Sequence, residues 1–354
     1  MALHPAMAEA LRLTRSANLT EAMALLRDRL GAGARPVPLP LRGGPAVHAT
    51  ARRATTDEAG DTVREPAGPD GRFESRRHVG RAGTIEYMLY KPASAKPGIP
   101  LIVMLHGCTQ SPEDFARGTA MNRLADEFSF LVAYPRQIQS ANMQKCWNWF
   151  QPGHQQRDQG EPALIAGLTR DIVALEDIDA ARVYVAGLSA GGAAAAIMAD
   201  TYPDLFAAVG IHSGLARGAA RDLPSALTAM QRGAAHQPTR AGPNGGRFVP
   251  VITFHGDRDG TVGEINARDI VRAATAMAAP LSVTSETGEA NGRRYTRARS
   301  IDDRGRVMIE QWTVSGAGHA WSGGDPAGSY VDASGPEASR AMLEFFFAHR
   351  CTAA

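Results

Sequence analysis

The chain has 354 residues, a net charge of +2, 44% apolar and 21% charged residues, enough for one large α/β domain with an added segment. Near-neutral charge gives no electrostatic basis for a nucleic-acid partner, and no apolar run approaches the ~20 residues of a membrane span.

Residues 1 to about 33 read as two short helices. Asn18 and Glu21 have capping-box spacing, and Leu19, Met23, Leu26 and Leu30 recur at helical intervals. This apolar stripe is expected to dock on its own domain; a homodimer contact through these helices, or a cap near the site, is the sharper alternative. The amino terminus lacks the continuous apolar core of a secretory signal. That favours the cytoplasm for the chain as it stands, with an extracellular or periplasmic home if an export signal has been removed. Residues 34–72 are rich in Pro, Gly, Ala and Arg with almost no large apolar side chains, which predicts a flexible linker that cannot bury enough surface to offset its ordering entropy.

The main folded domain is expected over 73–350. Thr84–Tyr90 reads as an antiparallel strand at the sheet edge, followed by the very apolar strand Pro100–Leu105. A helix around Asp114–Phe128, a strand Phe130–Tyr134 and a helix Pro162–Glu176 come next. Strands over Arg182–Ala186, Ala207–Ile211, Phe248–Phe254 and Met308–Val314 complete the alternation, with extra strands over Leu281–Glu286 and Arg294–Ile301. Residues Ala216–Gly246 leave open a surface excursion or a long loop with one helix around Ser225–Arg232. Strands alternating with helices predict an α/β fold, a mostly parallel sheet covered on both faces.

The Arg182–Ala186 strand runs into Gly187-Leu188-Ser189-Ala190-Gly191 and then into the small-residue helix from Gly192. Strand, glycine-lined turn with a serine at its apex, then helix is the pattern of a nucleophile elbow. A serine hydroxyl needs a base and an orienting carboxylate, which in this fold follow in the order acid, then histidine. The strand ending at Phe254 leads to His255-Gly256-Asp257-Arg258-Asp259. Two aspartates compete: Asp259, deeper in the loop, is preferred as the acid, and Asp257 is assigned to the turn's backbone. After the last strand come Gly316-Ala317-Gly318-His319, so that of ten histidines only His319 has the order and flanks of the base. The two oxyanion donors would be the N–H groups of Ala190 and of Cys108 in His106-Gly107-Cys108, with His106 bonding the loop backbone.

These segments together resemble the polyhydroxybutyrate-depolymerase family of esterases within the α/β-hydrolase fold. The likeness runs from about Glu86 to Arg350. It is carried by Leu105-His106-Gly107-Cys108-Thr109-Gln110, Cys146-Trp147-Asn148-Trp149-Phe150, Gly187-Leu188-Ser189-Ala190-Gly191-Gly192, Ala317-Gly318-His319-Ala320-Trp321-Ser322-Gly323-Gly324 and the terminal Gly335-Pro336-Glu337-Ala338 into Phe346. The resemblance implies a serine carboxylesterase with a polyester or oligoester substrate of the short-chain hydroxyalkanoate class. Feruloyl esterases, acetylxylan esterases and poly(aspartic acid) hydrolases are alternatives on the same scaffold, and a non-catalytic binding protein is the remote one. No Ser/Thr-rich linker or separate substrate-binding domain follows Arg350, which leads us to expect weak adsorption to crystalline polymer.

On the substrate side, Trp147, Trp149 and Trp321 fall in loops at the carboxyl edge of the sheet and would supply an apolar wall, at least one of them being expected in the core instead. His212 and Ser213 would face the cleft, and Arg136 and Arg217 fall in candidate rim loops. No cofactor is called for, and the Cys and His spacing offers no zinc site. Of Cys108, Cys146 and Cys351, the last is expected free. A disulfide between the other two stays open, since it would pin the oxyanion loop but be unusual in a reducing cytoplasm.

Overall fold

The computed structural model describes residues 71–234, 247–278 and 280–351. The helices expected over 1–33, their dimer contact and nearly all of the 34–72 linker lie outside the described residues. The described residues belong to one compact unit.

Ten strands form one sheet in the order β1-β2-β4-β3-β5-β6-β7-β10-β9-β8. The middle is parallel: β4 (Leu131–Pro135), β3 (Leu101–Leu105), β5 (Val183–Leu188), β6 (Ala208–His212), β7 (Val251–Gly256) and β10 (Val307–Val314). Antiparallel hairpins extend it at both ends, β1 (Arg72–Gly80) with β2 (Gly83–Lys91), and β8 (Ser282–Ala290) with β9 (Arg293–Ile301). The strand read from Thr84–Tyr90 pairs antiparallel with β4 as expected, but it is second from the edge. The outer strand β1, RFESRRHVG, is mostly exposed and lacks the apolar alternation that marks a strand in sequence.

The central strands are buried on both faces, which is why they read as continuous apolar runs. Alternate side chains go to opposite layers. Leu101, Val103, Val183 and Val185 pack with Ile165, Leu168 and Ile172 of α3 (Gly160–Leu175) and with Ala193, Ile197 and Met198 of α4 (Ala190–Thr201). Ile102, Met104, Tyr184 and Phe254 pack with Phe115 of α1 (Pro112–Thr119), Leu124 of α2 (Met121–Phe128), and Met342 and Phe346 of α7 (Ala338–Phe347). Each such large side chain taken out of water contributes roughly 1.5–3 kcal/mol. The layer with α3 and α4 also holds α5 (Leu223–Arg232) and α6 (Ile265–Thr275). The helix around Ser225–Arg232 is therefore present, opened by a capping box between Asp222 and Ser225, while 235–246 lie outside the described residues.

The helix expected over Asp114–Phe128 is two helices, broken at Ala120, whose φ is 52°. Just before the break, the chain around Gly328 and Val331 packs on Gly118 so closely that a Cβ there would lie 2.9 Å from Val331 Cγ2. That contact carries the segment following His319 across the mouth of the sheet.

Candidate active site

Ser189 sits between β5 and α4 with φ 58° and ψ −119°, a left-handed backbone that a non-glycine residue adopts at a cost of about 1–3 kcal/mol. Its N–H donates to the carbonyl of His212 at the end of β6, 2.9 Å away. The turn is tight enough that a Cβ on Gly191 would overlap the carbonyl oxygen of Leu105. The elbow is thus wedged against the carboxyl end of β3, and the next residues, His106 to Gln110, lie beside the serine.

That neighbouring loop is held from several sides. His106 Nδ1 donates to the Gly107 carbonyl (2.8 Å), and its Nε2 accepts from Gln137 N–H (3.1 Å). Gly107 N–H goes to Gln110 Oε1 (2.9 Å), Thr109 N–H to Gln144 O (2.6 Å), and Trp147 Nε1 to His106 O (3.1 Å). Cys108 is disulfide-bonded to Cys146, so the open question of that pairing is answered, while Cys351 is a free thiol. Buried Glu161 anchors the far side, accepting from Asn148 N–H (2.8 Å), Asn148 Nδ2 (2.7 Å) and Gln137 Nε2 (2.5 Å). Among the described residues the N–H groups of Cys108 and Ala190 have no protein acceptor, and the latter opens helix α4, whose dipole favours negative charge there.

The loops after β7 and β10 cross at Gly256, where a Cβ would strike the carbonyl of Ala317. Asp257 spends its carboxylate on the crossing, accepting from Gly316 N–H at 2.6 Å. Asp259 is buried; its Oδ1 accepts from Thr261 N–H (2.9 Å) and Val262 N–H (2.8 Å), and its Oδ2 faces His319 Nδ1 at 2.7 Å. His255 Nε2 donates to the Val262 carbonyl at 2.7 Å and closes the turn from below. Burial alone would raise the Asp259 carboxyl, but the His319 ring and the backbone N–H of Val262 hold it below the usual range. The acceptor opposite Nδ1 fixes the His319 proton on that atom and leaves Nε2 as the basic nitrogen.

The structure therefore joins Asp259 to His319. It makes no hydrogen bond from the Ser189 hydroxyl to that ring; both the hydroxyl and His319 Nε2 are without a protein partner among the described residues. Where a hydroxyl and an imidazole act together, their hydrogen bond is often long without substrate and tightens in its presence.

The expected substrate wall needs correction. Trp147 and Trp321 are at most 1% exposed and Trp149 7%. Trp147 is committed to His106, and Trp321 lies edge-on to Phe115 with its Nε1 on Ser339 Oγ at 3.0 Å. His212 and Ser213 are also interior. His212 accepts from Ser322 N–H at 3.0 Å and is stacked on Trp321 and Phe254, burial holding it neutral with its pKa lowered to about 3. These five side chains build the frame of the site and offer no face to a ligand. Arg136 pairs with Glu113, and Arg217 donates to Gln155 O at 2.7 Å.

The exposed apolar side chains bordering the His106–Gln110 loop are others. Tyr330 is 47% exposed with φ 53°, and its hydroxyl lies 3.3 Å from Thr109 Oγ1. Ile138 and Met143 are also exposed, on the loop that Cys146 and Gln144 fasten to Cys108 and Thr109. Nothing local in the sequence marks them, because their place depends on loops that meet only in the fold.

Residues 85–292, more than half of the chain, match the family model described as esterase PHB depolymerase. The chain is 32% identical over 245 residues to poly(3-hydroxyalkanoate) depolymerase C of Paucimonas lemoignei, covering 67% of this chain and 58% of that protein. It is 36% identical over 155 residues to feruloyl esterase B of Neurospora crassa, covering 42% and 51%. The chain thus spans little more than half the length of these curated relatives. Among solved structures, an acetyl xylan esterase from Aspergillus awamori superposes with a TM-score of 0.60 at 19% identity, covering 78% of this chain and 99% of that one, a likeness of fold.

Proposed function

The chain belongs to the PHB-depolymerase family of esterases, within the α/β-hydrolase fold, and from that premise we propose that it is a serine carboxylesterase acting on short-chain hydroxyalkanoate esters. The observation that carries this reading is the pairing of buried Asp259 with half-buried His319, set by two crossing loops at the sheet edge that also presents a strained Ser189.

In the proposed reaction the Ser189 hydroxyl attacks the ester carbonyl while His319 Nε2 takes its proton. Asp259, already fixed by three hydrogen bonds, holds the ring and stabilises the imidazolium. The N–H groups of Cys108 and Ala190 receive the developing oxyanion. His319 then protonates the leaving alkoxide, and water repeats the sequence on the acyl-enzyme. Tyr330, Ile138 and Met143 supply the apolar rim against which an acyl chain would lie. The Cys108–Cys146 disulfide suits an oxidising compartment better than the cytoplasm suggested by the amino-terminal sequence.

A panel of 3-hydroxybutyrate oligomers, feruloyl esters and acetylated xylan, run with a Ser189→Ala control, tests the assignment. Preferential hydrolysis of the oligomers, abolished in the control, is expected. A preference for feruloyl esters or acetylxylan would favour the second reading, which the likeness to feruloyl esterase B supports.

A further inference from the structure

His212 ends β6 and touches two parts of the site at once. Its carbonyl accepts the N–H of Ser189 at 2.9 Å. Its ring Nε2 accepts the N–H of Ser322 at 3.0 Å, three residues beyond His319. The ring is clasped between Trp321, with centroids 5.0 Å apart and planes at 26°, and Phe254, at 5.8 Å and 16°. A nitrogen that faces an N–H carries no proton, so the proton of this ring sits on Nδ1, 3.2 Å from Ser213 Oγ.

The loop bearing His319 has other fastenings: Asp259 on the His319 ring (2.7 Å), Arg258 N–H on Ala317 O (3.0 Å), Trp321 Nε1 on Ser339 Oγ (3.0 Å), Ser322 Oγ on Pro336 O (2.8 Å) and the pairing of Trp321–Ser322 with Val331–Asp332. None of these partners also bonds Ser189; among the described residues His212 is the one that holds both. No hydrogen bond ties the His319 ring to the Ser189 hydroxyl, so their separation is set by what holds the two backbones.

We propose that His212 is a positioning residue that registers the His319 loop against the nucleophile, its main chain gripping Ser189 and its imidazole gripping Ser322. It touches neither substrate nor a reacting atom. The inference rests on the triad reading given above.

Two substitutions test it on 3-hydroxybutyrate oligomers. His212→Gln keeps an acceptor near Nε2, whereas His212→Leu keeps bulk and leaves the buried Ser322 N–H unpaired. The leucine variant should lose roughly 10- to 100-fold in kcat with KM changed by no more than about twofold, and the glutamine variant no more than about fivefold in kcat. In a His319→Ala background, His212→Leu should cost nothing further, because it acts through that ring. If the leucine variant does not fold, His212→Asn, whose amide is too short to reach Ser322, takes its place. Wild-type kcat in the acceptor-less variant, equal losses in both variants, or losses that multiply in the His319→Ala background would overturn the proposal. Unimpaired hydrolysis by Ser189→Ala would remove the triad reading and this inference together. A normal His212→Leu beside an inactive Ser189→Ala would remove the inference alone.

Discussion

Asp259 Oδ2 lies 2.7 Å from His319 Nδ1, while Asp257, two residues nearer the strand, gives its carboxylate to the backbone N–H of Gly316 at 2.6 Å. The two aspartates of one loop thus have separable duties. Asp259→Asn should lower kcat by ~10³ to 10⁴, because an amide turned towards Nδ1 stabilises the wrong tautomer. Asp257→Asn should keep most activity, since an amide oxygen still accepts from Gly316. Steady-state kinetics on a soluble ester check both, and the reverse pattern would move the acid to Asp257.

The Cys108–Cys146 bond closes a span of 38 residues and holds one proposed oxyanion donor. Replacing both cysteines by serine should cost roughly 2–4 kcal/mol in urea denaturation and lower kcat more than it raises KM. Mass spectrometry under non-reducing conditions should find neither thiol alkylated. Two free thiols in active enzyme would contradict the role given to the bond.

The placement of these loops was largely legible in the sequence, for a physical reason. Ser189 and Asp259 each follow an apolar strand and His319 follows an alternating one, and glycines at 187, 191 and 256 mark where backbones press together. The interior indoles were not legible. The burial of Trp321 depends on Phe115 and Ser339, more than 200 residues before it and 18 after it, and the duty of His212 depends on Ser322, 110 positions away. Helix α6 went unread because its buried face includes Asn266 and Asp269, which break the apolar stripe. Strand β1 hid because an exposed edge has little apolar pattern.

The buried tryptophans and the exposed rim should separate stability from binding. Trp147→Phe removes the hydrogen bond to His106 O and leaves a buried acceptor unpaired, at about 1–3 kcal/mol in denaturation with KM little changed. Tyr330→Ala should leave stability nearly untouched and raise KM severalfold for esters with apolar acyl chains. Calorimetry beside Michaelis kinetics distinguishes the two. A raised KM in the first variant and lost stability in the second would restore the indole as a substrate wall.

Among the described residues, four buried imidazoles, His106, His212, His255 and His349, have their pKa lowered by burial and make the fold sensitive to moderate acid. Burial lowers the pKa of His106 to about 4 and of His212 to about 3, so both stay neutral in the fold while the unfolded chain protonates near pH 6.5. Stability from each is complete above pH 6.5 and falls as pH drops towards the folded values, by up to about 1.4 kcal/mol per pH unit for each ring. Urea titrations at pH 7, 6 and 5 should show this slope, and His106→Gln should flatten it. An unchanged slope would mean that other groups control acid unfolding.

The most direct test is pre-steady-state hydrolysis of p-nitrophenyl butyrate with peptide mapping of the acid-quenched enzyme. A burst approaching one equivalent of p-nitrophenol per chain is expected, with the butyryl group on Ser189, and neither burst nor label in Ser189→Ala. A burst that survives in that variant, or an acyl group mapped to any other residue, would contradict the assignment of Ser189 as the nucleophile.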